Sequence, residues 1–258
     1  MIHNGMSATL PISRAVIIIK ALPRPSSKYG ETVCCAGITA SREWKRLYPV
    51  RFRQLTSGRS FRRWDWVEFA HRPPTTDRRR ESCHVFEDAI KVVGALPEND
   101  RFALLDPMVM PSASAAASSG ASLALIRPSN PRFRWRRKSE AQLEAERREY
   151  REAGRQQSLL DADLAAFEPT PFAFAFTFRD AEGPHTWTCG DWETHATFFY
   201  WRKRYGEASA LERLGGRFND EYPAKGMLFA TGNMMKRPKT WQLLGVVRLD
   251  EKGQLGLL

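Results

Sequence analysis

The sequence predicts an α+β protein: a β-rich small barrel, OB-like or PUA-like, then a linker and helix, then a C-terminal sheet with two helices. Three features predict it. Short β-branched or alternating runs, separated by turn residues, fill the N-terminal part. A Ser-, Ala- and Gly-rich stretch at 111–122 interrupts them. Beyond it, helical spacing and strict alternation take turns. The expected division is a basic barrel at 12–108, a flexible linker at 109–131, a basic cluster with a connecting helix at 132–168, and an α+β domain at 169–258. A chain of 258 residues can bury a substantial core.

Residues 15–20 (AVIIIK) read as a buried β-branched strand. Pro23, Pro25, Ser26 and Ser27 make a loop. Residues 32–38, 44–52 and 64–69 read as further strands, and 85–93 supplies one or two more. The 111–122 stretch has few large side chains to bury and is expected to be flexible. Residues 139–164 read as a solvated helix. Ser139 and Gln142 open it at capping-box spacing, and Glu144–Arg148 and Arg148–Glu152 support it. In 172–178, Phe172, Phe174, Phe176 and Phe178 alternate onto one face of a strand, expected to be core. Asp191 is placed to cap a helix ending near Tyr205, with an expected stripe of Trp192, Ala196, Phe199 and Lys203. A short helix at 208–214 and strands at 227–231 and 241–248 follow, with a basic loop at 232–239 between the strands.

Charge is distributed unevenly. Residues 1–138 hold 24 basic and 11 acidic side chains, +13, whereas 139–258 hold 16 and 18, −2. A concentrated positive field attracts a polyanion, so the partner expected is nucleic acid. No apolar run approaches the roughly 18 residues of a membrane helix, and the N-terminus lacks a basic start leading into a long apolar stretch. No membrane partner is expected, and the expected location is the cytoplasm.

Cys34, Cys35, Cys83 and Cys189 form no C-x-x-C pair and read as buried reduced thiols. The set Cys83, His84, His185 and Cys189 matches no established zinc spacing. Phosphate-binding glycine loops, a nucleophile elbow and an H-E-x-x-H helix are all missing, which disfavours an NTPase, a dinucleotide enzyme, a hydrolase of that type and a zincin. No cofactor and no metal are expected.

Three clusters interleave Arg with rings. The first is Arg46, Tyr48, Arg51, Phe52 and Arg53; the second is Arg59, Phe61, Arg62, Arg63 and Trp64. The third is Arg132, Phe133, Arg134, Trp135, Arg136, Arg137 and Lys138. Arg neutralises phosphate through paired hydrogen bonds, and rings offer faces to unstacked bases. The expected nucleic-acid contacts are therefore Arg46, Tyr48, Arg51, Arg53, Arg62, Arg63, Trp64, Arg134, Trp135, Arg136, Arg137 and Lys236.

The segments KALPRPSSKYGETVCCAG (20–37), WKRLYPVRFR (44–53) and DRRRES (77–82) resemble a widespread uncharacterised bacterial family carrying KYGE-x-VC and W-x-RLYP motifs. His185, Asp191–Trp192–Glu193 and the last two strands extend the resemblance over most of the chain. It is also distantly similar to proteins with dual OB-like barrels. The resemblance implies a shared surface lined by Lys28, Tyr29, Glu31, Arg46, Tyr48, Arg51 and Arg53, and no particular activity.

The function expected is non-enzymatic nucleic-acid binding, as an accessory subunit of a bacterial complex acting on DNA or RNA. One alternative is a nucleotide- or nucleic-acid-processing enzyme using His185, Asp191 and Glu193. The other is an adaptor whose basic half docks on an acidic protein.

Overall fold

The computed structural model describes residues 10–26, 30–56, 58–157 and 167–250. The N-terminal unit contains β1 (Ile12–Lys20), β2 (Arg24–Ser26), β3 (Gly30–Thr32), β4 (Cys35–Ile38), β5 (Trp44–Tyr48), β6 (Asp65–Arg72), β7 (Ser82–Val85), β8 (Lys91–Ala95) and α1 (Glu98–Leu105). The C-terminal unit contains β9 (Val109–Met110), α2 (Ala113–Ser118), β10 (Leu123–Ile126), β11 (Ser129–Arg137), α3 (Glu140–Gln157), β12 (Phe172–Asp180) and β13 (Gly183–Thr188). It ends with α4 (Trp192–Tyr205), α5 (Glu207–Gly216), a π-helical turn (Arg217–Glu221), α6 (Tyr222–Ala224), β14 (Met227–Met234) and β15 (Arg237–Arg248).

The predicted α+β class and the barrel are both present. Pairing runs β1–β4–β5–β7–β6, and β1 pairs with β6 as well, which closes an OB-like barrel of five strands. Only β5–β7 is parallel among these pairs. Alternation along β1 sends Ala15 and Ile17 into the barrel, against Leu47, Phe61, Val67 and Phe69. Val16 and Ile18 point outward, yet both are fully buried. A strand covered on both faces reads as a continuous apolar run, and AVIIIK is such a run. Gly37 permits the tightest crossing: a Cβ there would lie 2.6 Å from the Val16 carbonyl oxygen.

A four-stranded sheet, β15–β14–β10–β9, lies against the barrel. Its barrel-side residues Leu123, Leu125, Leu228, Ala230 and Leu244 pack on Val16, Ile18, Ala36 and Ile38. Its other face, with Met227, Phe229, Leu243 and Val246, packs on the Phe row of β12 and on α4 and α5. The four Phe residues of β12 are between 0 and 4% exposed, as expected for core. Phe229 meets Phe176 and Phe178 edge-on at 5.1 and 5.0 Å.

Three expectations are corrected. The 109–131 stretch is not a flexible linker: it forms β9, α2 and β10, and β10 sits inside the central sheet. Ser112 caps α2 through the Ala115 N–H at 3.0 Å, and Ala113 and Ala116 are buried. Glu182 accepts from the Ser112 and Ser114 hydroxyls at 2.7 and 2.8 Å. Small side chains here allow close approach. The stripe on α4 is also displaced: its buried residues are Thr194, His195 and Phe198. Two of these are polar and satisfied internally, Thr194 by Asp191 and His195 by Thr170 and the Cys189 carbonyl. On α3 the expected capping box forms, Gln142 N–H to Ser139 and Ser139 N–H to Gln142. Its ion pairs run instead through Arg147 to Glu140, Glu144 and Glu168, through Arg151 to Glu144, and from Lys138 to Glu146. The rest of the predicted helix, 158–164, lies outside the described residues.

Candidate nucleic-acid interface

The cations of the N-terminal unit fall into two sets: Arg46, Arg63, Lys20, Arg79 and Arg101 reach across to the C-terminal unit, whereas Arg62, Arg72, Arg78, Arg80 and Lys91 are exposed. Arg46 on β5 is 4% exposed and donates through Nη2 to the Ser122 carbonyl and hydroxyl, each at 3.0 Å. Its carboxylate neighbour is Glu81 at 3.9 Å. Arg63 donates to Asp191 at 2.5 Å and to the Val246 carbonyl at 2.6 Å. Lys20 pairs with Glu193 at 2.7 Å, Arg79 reaches the Asn233 carbonyl at 2.9 Å, and Arg101 reaches Asp250 at 2.7 Å. Each of these side chains crosses to the C-terminal unit. They join the two units and are not available to a ligand.

Two of the contacts expected on the barrel, Arg46 and Arg63, are therefore corrected. Arg46 is buried in the joint and the Arg63 side chain is only 11% exposed there, and Trp64 packs on the core between the units with the Arg101 guanidinium 4.3 Å over its ring. Arg51 pairs with Glu87 at 2.8 Å and Arg59 with Asp88 at 2.6 Å. Arg53 lies 5.9 Å over Phe167. Tyr48 and Arg62 are exposed, and Lys236 is exposed far along the chain in the β14–β15 turn. Lys28 and Tyr29 lie outside the described residues. The side of an OB barrel that usually meets oligonucleotides is the face of its second and third strands. Here those strands are β4 and β5, and the outward Ala36 and Ile38 are fully buried under the central sheet.

The third cluster behaves differently. β11, β12 and β13 form a separate three-stranded sheet whose Phe face is core. Alternation puts Arg132, Arg134 and Arg136 of β11 on the opposite face, and all three are exposed. Register sets Arg132 beside Thr177 and Thr186, and Arg134 beside Ala175 and Thr188. Ala173 lies beside Arg136, and Arg179 extends the same face of β12. The result is a floor of small Ala and Thr side chains edged by Arg at intervals of about 7 Å, two residues along a strand. None of its β11–β13 positions carries a carboxylate, because Asp180 points to the other face and binds His185 at 2.7 Å. Among the described residues, Arg132, Arg134, Arg136 and Arg179 have no carboxylate within ion-pair distance.

Trp135 and Arg137 lie on the other side of β11. Trp135 is 42% exposed, 5.8 Å from Phe133, and its ring runs along the backbone of α5 at Gly215. Arg137 stacks 4.6 Å over Phe172 and pairs with Glu207. The single basic cluster of the sequence is thus two surfaces: a phosphate-sized row and an edge carrying a ring. At the start of β11 a cleft of about 360 Å³ is lined by Arg127, Asn130, Arg132, Asn219, Pro223 and Met227, among others. Asn219 accepts the Phe133 N–H at 2.6 Å, which leaves its amide NH₂ available to donate. Arg132, Arg179 and Asn219 were not among the contacts expected from sequence. The two-residue spacing of Arg132, Arg134 and Arg136 is the signal that could have found the row.

The residues of the enzyme alternative do not assemble. His185, on β13, is held by Asp180 at the end of β12, whereas Asp191 caps α4 beneath Arg63 and Glu193 pairs with Lys20. Burial pushes the Asp191 carboxyl up, against the pull of Arg63. Burial also dominates at Glu193 as an opposing influence, but Arg63 and Lys20 hold its carboxyl below the ordinary value. Among the described residues no three His, Cys, Asp or Glu side chains converge as a metal site. Cys35, Cys83 and Cys189 are buried free thiols, and Cys34 is a partly buried one. Burial pushes Cys83 up to about 11 and Cys189 up to about 12. No helix among the described residues is long and apolar enough to cross a membrane.

Comparison with known families divides the chain at the same joint that Arg46 and Arg63 cross. A family model described as "Domain of unknown function (DUF8758)" matches residues 12–109. A second, described as "Domain of unknown function (DUF8757)", matches residues 109–256. No curated protein matches the chain. The second model spans more than half of the sequence and contains the central sheet and the Arg-edged sheet, and the chain belongs to the DUF8757 family.

Proposed function

We propose that this is a non-enzymatic nucleic-acid-binding protein that grips the sugar–phosphate backbone on the outer face of β11–β13. One observation carries the reading: Arg132, Arg134, Arg136 and Arg179 share a flat, exposed, carboxylate-free face. A floor of Ala and Thr lets a backbone approach closely, and Thr177, Thr186 and Thr188 add hydroxyl donors. Unpaired arginines pay no cost of breaking an existing ion pair before they meet phosphate. Residues 1–109 hold 18 basic and 11 acidic side chains, +7, and 110–258 hold 22 and 18, +4. The excess of the first part is partly compensated at the joint, whereas six basic and no acidic residues fall in 110–138.

Backbone contacts position a strand without reading its bases, so the expected binding has little sequence preference and falls with salt. The role that follows is an accessory component of a nucleic-acid complex. Fluorescence anisotropy with labelled single- and double-stranded oligonucleotides across a salt series tests it. Binding at low salt that weakens steeply supports the reading; no binding at low salt, or a flat salt response, overturns it.

A further inference from the structure

The Arg row and the exposed ring of β11 share one strand but face opposite ways. β11 is the outer strand of its sheet, so only its outer edge, capped at Phe133 by the Asn219 side chain, separates them. Along that edge lie the cleft at Arg132 and Asn219, then Trp135 against Gly215. The cleft and Trp135 are three residues apart, about 10 Å along a strand. The Trp135 ring is 42% exposed. Arg137, the next cation on that side, is already paired with Glu207. The phosphate-binding capacity is therefore on one side of the edge and the stacking capacity on the other.

We infer that the nucleic acid bound here is single-stranded, and that it straddles the outer edge of β11 on either side of the Asn219 cap. This rests on the function proposed above. Its phosphates lie on Arg132, Arg134, Arg136 and Arg179, while its bases turn over the edge, one onto Trp135 and one toward the cleft. In the cleft, Pro128, Pro131 and Pro223 offer flat apolar walls, and the free Asn219 NH₂ faces a base edge. A duplex cannot adopt this path, because its bases are paired and stacked inward. A duplex can reach only the Arg face.

The test is a comparison of one unstructured oligonucleotide with its duplex of equal length, at one salt concentration, for wild type, Trp135→Leu and Trp135→Phe. Leu keeps apolar packing against Phe133 and Gly215, and thermal unfolding checks that the fold is retained. The wild type is expected to bind the single strand more tightly. Trp135→Leu is expected to lose about 5- to 150-fold on the single strand, the range for one base stacked on a ring. It should be unchanged on the duplex and keep the wild-type salt slope, and Trp135→Phe should recover most of the loss. Equal losses on both forms, or none on either, overturn the inference but leave the Arg face standing. Failure of both oligonucleotides to bind at low salt overturns the proposed function itself.

Discussion

The triple substitution Arg132→Ala, Arg134→Ala, Arg136→Ala isolates the phosphate row, because each side chain is exposed and none has a carboxylate partner. Four phosphate contacts, one per Arg of the face, give a slope of log affinity against log salt of about −2.8 for a single strand, at −0.7 per contact. The same face on a duplex gives about −3.6. Raising salt from about 50 to 200 mM then weakens single-strand binding by about 50-fold. The triple variant keeps only Arg179, so its slope falls to about −0.7 and the same change weakens binding by only about 3-fold. Anisotropy titrations at four or more salt concentrations read the slope directly. Exposed substitutions of this kind leave stability within about 0.5 kcal/mol, so unfolding curves should overlay. An unchanged slope in a folded triple variant would refute the reasoning, since the contacts would then lie elsewhere.

The other predictions concern the joint, the barrel and a buried histidine. Arg63→Met leaves Asp191 buried without its counter-charge and should cost about 3–5 kcal/mol in urea unfolding, whereas the exposed neighbour Arg62→Met should stay within about 0.5 kcal/mol. Equal effects of the two would contradict the assignment of Arg63 to the joint. Gly37→Ala places a Cβ 2.6 Å from the Val16 carbonyl oxygen and should destabilise by about 1–3 kcal/mol, while Gly58→Ala, with nothing within 4 Å, serves as the control. His195 is driven down to about 4 by burial, so the fold holds it neutral. Its contribution is complete above its ordinary value of 6.5 and is lost as pH falls toward 4, by about 3 kcal/mol at pH 4. His195→Gln should remove that part of the pH dependence, and an unchanged acid limb in the variant would show that another group causes it.

Local pattern carried the elements, and tertiary partners decided the site. AVIIIK, the Phe alternation of β12 and the Ser139–Gln142 box depend on neighbours within a few residues, and each was legible. The segment at 111–122 reads as flexible because small side chains look unable to form a core, yet Ala116 is fully buried where α2 approaches closely. Arg63 reads from sequence as a ligand contact because its partner, Asp191, is 128 positions away. Arg46 likewise meets Ser122 across 76 positions. The same residue type, flanked by the same kind of ring, is exposed at Arg134 and buried at Arg63, and only the packing of the two units distinguishes them. The stripe on α4 failed for a related reason. Thr194 and His195 are polar, and hydrogen bonds from other segments make their burial possible.

Ultraviolet crosslinking of the full chain to a bound single-stranded oligonucleotide, followed by mapping of the modified peptides, addresses the central claim most directly. The account predicts adducts in β11, at or beside Trp135, and in β12–β13, and few in β4 or β5 of the barrel. Adducts confined to the barrel, with β11–β13 unmodified, would contradict it.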